Sequence, residues 1–191
     1  MKNEKYLKYF LILIMVNLLW DCAHNEAMPK PRAQLRLEYP PHDYVQFNKI
    51  RYPFTFERSV FTKVEIKTDT TLNLYYPNMK ARIYMTYAPV HGNLHKLLSD
   101  ADKLTYKHAV KADNFQHKIY EDPSRRVFGR LSLVSGNAAS PLQFLVTDST
   151  RHFVTGSLYF RAVPNYDSIR PPLEYIRRDV EHMLETWHWK H

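Results

Sequence analysis

The chain is 191 residues long, carries a formal charge of +8 at neutral pH and contains one cysteine and four glycines. One cysteine excludes an internal disulfide, so the fold must rest on packing; the few glycines form no Gly-rich phosphate loop, which argues against a nucleotide site. Bases are interleaved with acids, as in Lys103, Lys107 and Lys111 against Asp100, Asp102 and Asp113. They read first as solvated faces, with a membrane-surface or partner role second, and not as a nucleic-acid groove.

The segment from Met1 to Cys22 carries the strongest signal. Lys2, Lys5 and Lys8 precede a largely apolar run, Phe10 to Trp20, which stops at Asp21-Cys22. A basic start, a short apolar core and an abrupt polar end predict a secretory signal peptide over residues 1–21. The run is too short to span a bilayer, which takes about 20 residues. Cys22 stands where a lipoprotein signal peptidase would leave the new N-terminus, so the sequence predicts export and acylation, with palmitate, at Cys22. Two or three acyl chains anchor stably, since each buried methylene contributes about 0.8 kcal/mol. Leu19 is a usual residue ahead of such a cysteine, and Asp21 an unusual one. Loss of residues 1–21 removes three lysines and two acids and lowers the charge from +8 to +7. The remainder, 22–191, is long enough for one well-cored domain and too short for two ordinary ones.

Residues 22–32 read as the lipidated cysteine and a tether, because Pro29 and Pro31 favour an extended chain. Residues 33–191 read as a single globular domain. Period-two alternation predicts strands at Leu35–Tyr39, Val60–Ile66, Leu72–Tyr76 and Ala81–Tyr87, with a hairpin turn over 76–80. Leu94, Leu97, Ala101, Leu104, His108, Ala112, Phe115 and Ile119 then fall at three- and four-residue spacings, predicting one helix over 94–120 capped at Asn93. Strand-like runs at 126–134, 142–147 and 152–161 predict a meander whose second turn is Asp148-Ser149-Thr150-Arg151. A closing helix is predicted over 171–188, with Pro171 and Pro172 in its first turn. Its buried face is Leu173, Ile176, Val180, Met183, Leu184 and Trp187. The fold class is therefore α+β: a mainly antiparallel sheet with a long central helix and a C-terminal helix packed on it.

Catalytic signals are weak. His108, in an apolar stripe, reads as a buried polar residue with a hydrogen-bond partner. His91 and His95 are four apart, but Gly92 and Asn93 put a helix start between them, and no metal site is expected. Ser140 lacks the nucleophile-elbow pattern, and Ser149 reads as turn chemistry. Alternate loops of a meander lie at one end of the sheet. Loops 136–140 and 164–168 should therefore share an end, with 148–151 opposite. Asn137, Ser140, Asn165 and Asp167 are the candidate partner-docking residues, although Asn, Asp, Pro and Gly are turn residues first.

Several blocks in order resemble the GldD-type gliding-motility lipoproteins of the Bacteroidetes. They are Pro29-Lys30-Pro31-Arg32 after the cysteine, Tyr106-Lys107-His108-Ala109-Val110-Lys111-Ala112-Asp113, Gly136-Asn137-Ala138-Ala139-Ser140, and Gln143-Phe144 with Thr147-Asp148-Ser149. His152-Phe153, Gly156-Ser157-Leu158-Tyr159-Phe160, Pro164-Asn165-x-Asp167-Ser168 and Glu185-Thr186-Trp187-x-Trp189-Lys190 complete the set. The resemblance implies a lipoprotein anchored in the cell envelope and facing the periplasm. Its partners would be the membrane and other proteins of gliding motility and type IX secretion. It implies no enzyme, and no cofactor is expected. The fold expected by analogy is a PsbP-like sheet-and-helix sandwich. Two other readings stand beside this one. A glycan- or lipid-binding lipoprotein would suit fourteen tyrosines. A hydrolase would need a serine within reach of a histidine in a cleft.

Overall fold

A computed structural model describes residues 38–108, 112–136, 138–161 and 166–190, all within the unit Leu37–His191. The predicted signal peptide, Cys22 and the tether lie outside the described residues. The first half of the domain comprises β1 (Tyr44–Asn48), β2 (Phe54–Ser59), β3 (Lys63–Ile66), β4 (Thr71–Tyr76), a 3-10 turn (Pro77–Met79) and β5 (Ala81–Pro89). Helix α1 (Leu94–His108) follows, then β6 (Ala112–Asp122), β7 (Val127–Gly136), β8 (Leu142–Thr147) and β9 (His152–Phe160). Helix α2 (Tyr166–Glu185) and β10 (His188–Trp189) close the order. Every pairing is antiparallel, in a seven-stranded sheet ordered β3-β4-β5-β9-β8-β7-β6 and a three-stranded sheet ordered β1-β2-β10. The α+β class follows directly.

The register builds the core. Leu74, Ile83, Leu158, Leu142 and Leu133 are aligned across five strands, and Leu72, Met85, Gly156, Phe144 and Leu131 form the next row. Helix α2 lays Leu173, Ile176, Val180, Met183 and Leu184 into the cluster those rows form, the face its sequence period predicts. Its other side meets β2. Trp187, fully buried just past the helix, stacks 4.9 Å from Phe54 and 5.1 Å from Phe56, and Phe56 lies 4.8 Å from Phe47. On the opposite face of the large sheet, Leu94, Leu97, Leu98 and Ala101 of α1 cover Val90, Leu145 and Phe153.

Four expectations are corrected. The predicted 94–120 helix ends at His108, and Ala112–Asp122 is a strand. Phe115 and Ile119, four apart, satisfy both a helical and a period-two pattern, so the stripe could not separate them. Pairing with β7 along the whole of β6 decides the outcome, and Ile119 is left 58% exposed. The closing helix starts at Tyr166, so Pro171 and Pro172 stand in its second turn, and it ends at Glu185. The Val60–Ile66 strand is broken by a turn in which Thr62 Oγ1 donates to the Ser59 carbonyl at 2.7 Å and Arg58 Nη1 donates to the Thr62 carbonyl at 2.9 Å. Of the expected Leu35–Tyr39 strand, residues 35–37 lie outside the described residues and Tyr39 lies outside any strand, while β1 and the pattern Phe54-Thr-Phe-Glu-Arg-Ser59 supply strands that had not been expected.

The 148–151 turn has the chemistry its residues suggest. Asp148 Oδ1 accepts the backbone N–H groups of Thr150, Arg151 and His152 at 3.0, 2.7 and 2.7 Å, and Ser149 adopts a left-handed φ of 68°. Burial pushes the Asp148 carboxyl up, but those amides outweigh it and hold the group below the usual carboxylate value.

Gly156 leaves no room for a side chain. A Cβ there would stand 2.2 Å from Cε1 and Cζ of Phe144, its cross-strand partner. Gly156→Ala should therefore destabilise the domain by about 1–3 kcal/mol, the usual cost of overpacking. Denaturant unfolding would show this as a lower midpoint at unchanged slope, and Phe144→Leu in the same chain should recover part of the loss.

Candidate functional site

Three connections reach one end of the large sheet: the 77–80 turn, the β7–β8 loop and the segment after β9. Lys80 closes the first, with a left-handed φ of 48° and its N–H donated to the Pro77 carbonyl at 3.2 Å. Two cavities open at this end. The more apolar one, of about 380 Å³, is walled by Tyr39, Pro40, Phe61, Met79, Phe160, Ile169 and Pro172, with Tyr76 among its lining residues and Glu38 and Lys80 also contributing. The other, of about 440 Å³, lies between Gln116, Ser135 and Pro141 on one side and Arg170, Glu174 and Arg177 of α2 on the other. Arg177 is already paired with Glu174 and Glu181.

Behind Tyr76 sits a buried polar cluster. Asp179 is on the inward face of α2, 2% exposed, with Oδ1 at 2.7 Å from Nδ1 of His42. Tyr175 stacks on His42 at 4.3 Å and on Tyr39 at 5.2 Å. Burial raises the Asp179 carboxyl above its ordinary value, and the His42 ring and the nearby Tyr76 and Tyr44 hydroxyls offset this only in part. Burial and the neighbouring Asp179 in turn push the Tyr76 hydroxyl well above 10. Asp179 Oδ2 and the hydroxyls of Tyr39 and Tyr175 have no hydrogen-bond partner at normal geometry. A second histidine, His182, stacks on Tyr44 at 3.7 Å and contacts Glu57 Oε2 at 2.6 Å. Perturbed groups beside a cavity make this end of the domain the best candidate site.

The residues singled out in sequence fare unevenly. Asn137 and Asn165 lie outside the described residues, and Asp167 is in the first turn of α2 with a side chain that is likewise outside them. Ser140 is fully buried and its hydroxyl donates to the Leu142 carbonyl at 3.2 Å. It has no surface to offer a partner, which corrects its place among the docking residues. The strand order brings the end of β7 and the end of β9 to one end of the sheet, and residues 137 and 162–165 of the two loops lie outside the described residues. His108 is the last residue of α1, and its side chain is outside the described residues. His91 precedes the helix and His95 lies within it; Asn93 Oδ1 accepts the His91 N–H at 2.8 Å. Among the described residues no group of three His, Cys, Asp or Glu side chains could hold a metal ion.

A serine–histidine contact does occur, between His117 Nδ1 and Ser132 Oγ at 3.0 Å. Ser132 is 3% exposed and lines a void of only about 20 Å³ beneath α1, too small for a substrate. The acid that sequence reasoning missed was detectable. Asp179 stands four residues after Tyr175 and four before Met183, inside the apolar stripe of α2, where an unpaired carboxylate is costly. Its partner His42 is 137 positions away, beyond any local pattern.

A raised carboxyl means that the folded chain holds the proton more tightly than the unfolded one. Its contribution is therefore fully present below the unfolded value and declines as pH rises through the folded one. Asp179→Asn should remove that decline, so the thermal midpoint of the variant relative to wild type should improve from acid toward neutral pH. Parallel curves would show that Asp179 is not the group responsible.

A comparison with curated protein sequences finds no match. Among solved structures, the solution structure of cyanobacterial PsbP (CyanoP) from Synechocystis sp. PCC 6803 aligns at 4% identity with a TM-score of 0.49, covering 76% of this chain and 92% of that one. Among the described residues no helix is long and apolar enough to cross a membrane. The family model described as gliding motility lipoprotein GldD matches residues 24–189, nearly the whole of the described domain. The chain belongs to the GldD family of gliding motility lipoproteins.

Proposed function

We propose that this envelope lipoprotein is an assembly component of the gliding machinery and of its associated type IX secretion apparatus, held on a membrane by acyl chains at Cys22 and facing the periplasm. The observation that carries the reading is the apolar cleft at the loop-bearing end of the sheet. Glu38 is among its lining residues, a short stretch of chain after Cys22. The stretch from Cys22 to Glu38 spans at most roughly 55 Å fully extended, so the domain works close to its anchor. Confinement raises the effective concentration of neighbouring partners, and a cleft that takes one apolar side-chain cluster is then enough. The occupant we assign is an apolar segment of a machinery protein. The role is that of a binding protein, not an enzyme: the buried carboxylate and its aromatic neighbours order the cleft from behind, and Asp179 is absent from its lining.

The test is a crosslinked pull-down of the anchored protein from its own host. Motility and secretion components should be enriched, and Cys22→Ser should abolish the enrichment. Phe61→Asp changes a cleft residue that is 39% exposed and should lower capture by about tenfold or more, as loss of a central apolar anchor does. Recovery of no such components by the wild-type chain would overturn the assembly reading.

A further inference from the structure

Helix α1 covers the outer face of the large sheet over β7, β8 and β9, through Leu145, Phe153 and the Thr105–Gln143 and Asp102–Arg130 contacts. Toward β3 no described element covers that face. Two rows of side chains cross it in register. Lys63, Tyr75, Arg82 and Tyr159 alternate cation and ring over four strands. Asn73, Tyr84 and Ser157 run beside them and continue under α1 as Gln143. A shallow cavity of about 250 Å³ lies over Tyr75, Arg82, Tyr84 and Tyr159, with Lys80 and Arg161 also lining it.

Cross-strand pairing stabilises open sheet faces, and it accounts for the Arg82 guanidinium lying 4.8 Å from the centre of the Tyr75 ring. It does not account for Tyr84, which stays 45% exposed while meeting Tyr159 edge to face at 5.5 Å. In line with that ring the Asn73 amide donates to Glu65 Oε2 at 3.4 Å and Gln143 Oε1 accepts from the Thr105 hydroxyl at 2.8 Å, so the rings and the cations are what the face offers a ligand. We propose that this face binds a glycan that carries carboxylate groups. Tyrosine rings offer flat apolar surface with a polar tip, suited to the C–H faces and hydroxyls of sugars. Strands about 4.8 Å apart repeat hydrogen-bonding groups on the scale of one sugar ring. Lys63, Lys80, Arg82 and Arg161 outnumber Glu65, the acid paired to Arg82 at 3.0 Å, so the face selects acidic groups. An anionic lipid surface would need only the cations and would make no use of rings and cations set in alternation strand by strand. The glycan face meets the apolar cleft only at Lys80 and Phe160, so it stands independently of the assembly reading.

The experiment is co-sedimentation of the full chain with purified peptidoglycan sacculi, whose peptides carry carboxylates. Chitin serves as a neutral glycan, and vesicles of phosphatidylcholine with phosphatidylglycerol serve as an anionic lipid surface. Wild type should pellet with sacculi and bind chitin more weakly. Tyr84→Ala and Arg161→Glu should each weaken binding by about tenfold, the scale of one aromatic or charge-assisted contact, at an unchanged unfolding midpoint. Phe61→Asp, in the cleft, should bind as wild type does. If loss of the ring impairs folding, Arg161→Glu alone decides. Absence of binding to sacculi, or undiminished binding by both surface variants, would overturn the proposal. So would a preference for the vesicles, which would assign the face to lipid headgroups.

Discussion

The domain depends on the burial of Trp187. The indole is fully enclosed and stacks on Phe54 and Phe56, and this contact fastens the three-stranded sheet to helix α2 and, through the helix, to the large sheet. Aromatic rings supply the largest apolar areas in a core and gain further from offset stacking. The strand that completes the small sheet, β10, follows the indole directly, pairing His188 with Thr55 and Trp189 with Phe54. Residues 44–59 and 166–189 thus meet across most of the sequence. Such non-local contacts form late, because loop-closure entropy must be met before they contribute.

The same helix carries two opposed chemistries. Most of its inward face is aliphatic and seals against the sheet, while Asp179 and Tyr175 bring a carboxylate and a hydroxyl into the interior beside His42. Buried polar atoms without partners are uncommon in native folds, and three of them, on Tyr39, Tyr175 and Asp179, gather behind one cavity. The sheet rows of Leu74 and Leu72 stand directly beneath the loop-bearing end, and the loops and the cleft lie where α2 begins. Binding residues set on loops above a rigid scaffold are a common arrangement.

Much of this architecture was legible in sequence. The buried face of α2 was readable because Leu173, Ile176, Val180, Met183 and Leu184 keep a helical period, and β4, β5, β8 and β9 because each alternates between clear turn signals. The turn at Asp148 was readable because a side-chain oxygen can collect successive amides. What failed had physical reasons. Phe115 and Ile119 fit two periods at once, and only the partner strand β7 chose between them. The small sheet could not be inferred because β10 is two residues long and exists only by pairing with β2. The candidate site was the least legible part, since His42, Tyr76 and Asp179 come from three distant segments. The polar row under α1 was equally hidden, because a row across strands has no sequence spacing of its own.

Among the described residues the large sheet has two free edges, β3 and β6. Unpaired edges template association with other chains, and natural proteins blunt them with short strands, charges and bulges. Here β3 has only four residues and carries Lys63 and Glu65. Strand β6 displays Gln116, His117 and Lys118 and has a bulge between Ala112 and Asn114. For a lipoprotein these protections have added weight. Copies crowded on one membrane leaflet diffuse in two dimensions with their edges at similar heights, an arrangement that favours strand-to-strand docking far more than free solution does. Edges built this way keep a dense layer of the protein from stitching itself into a sheet of its own.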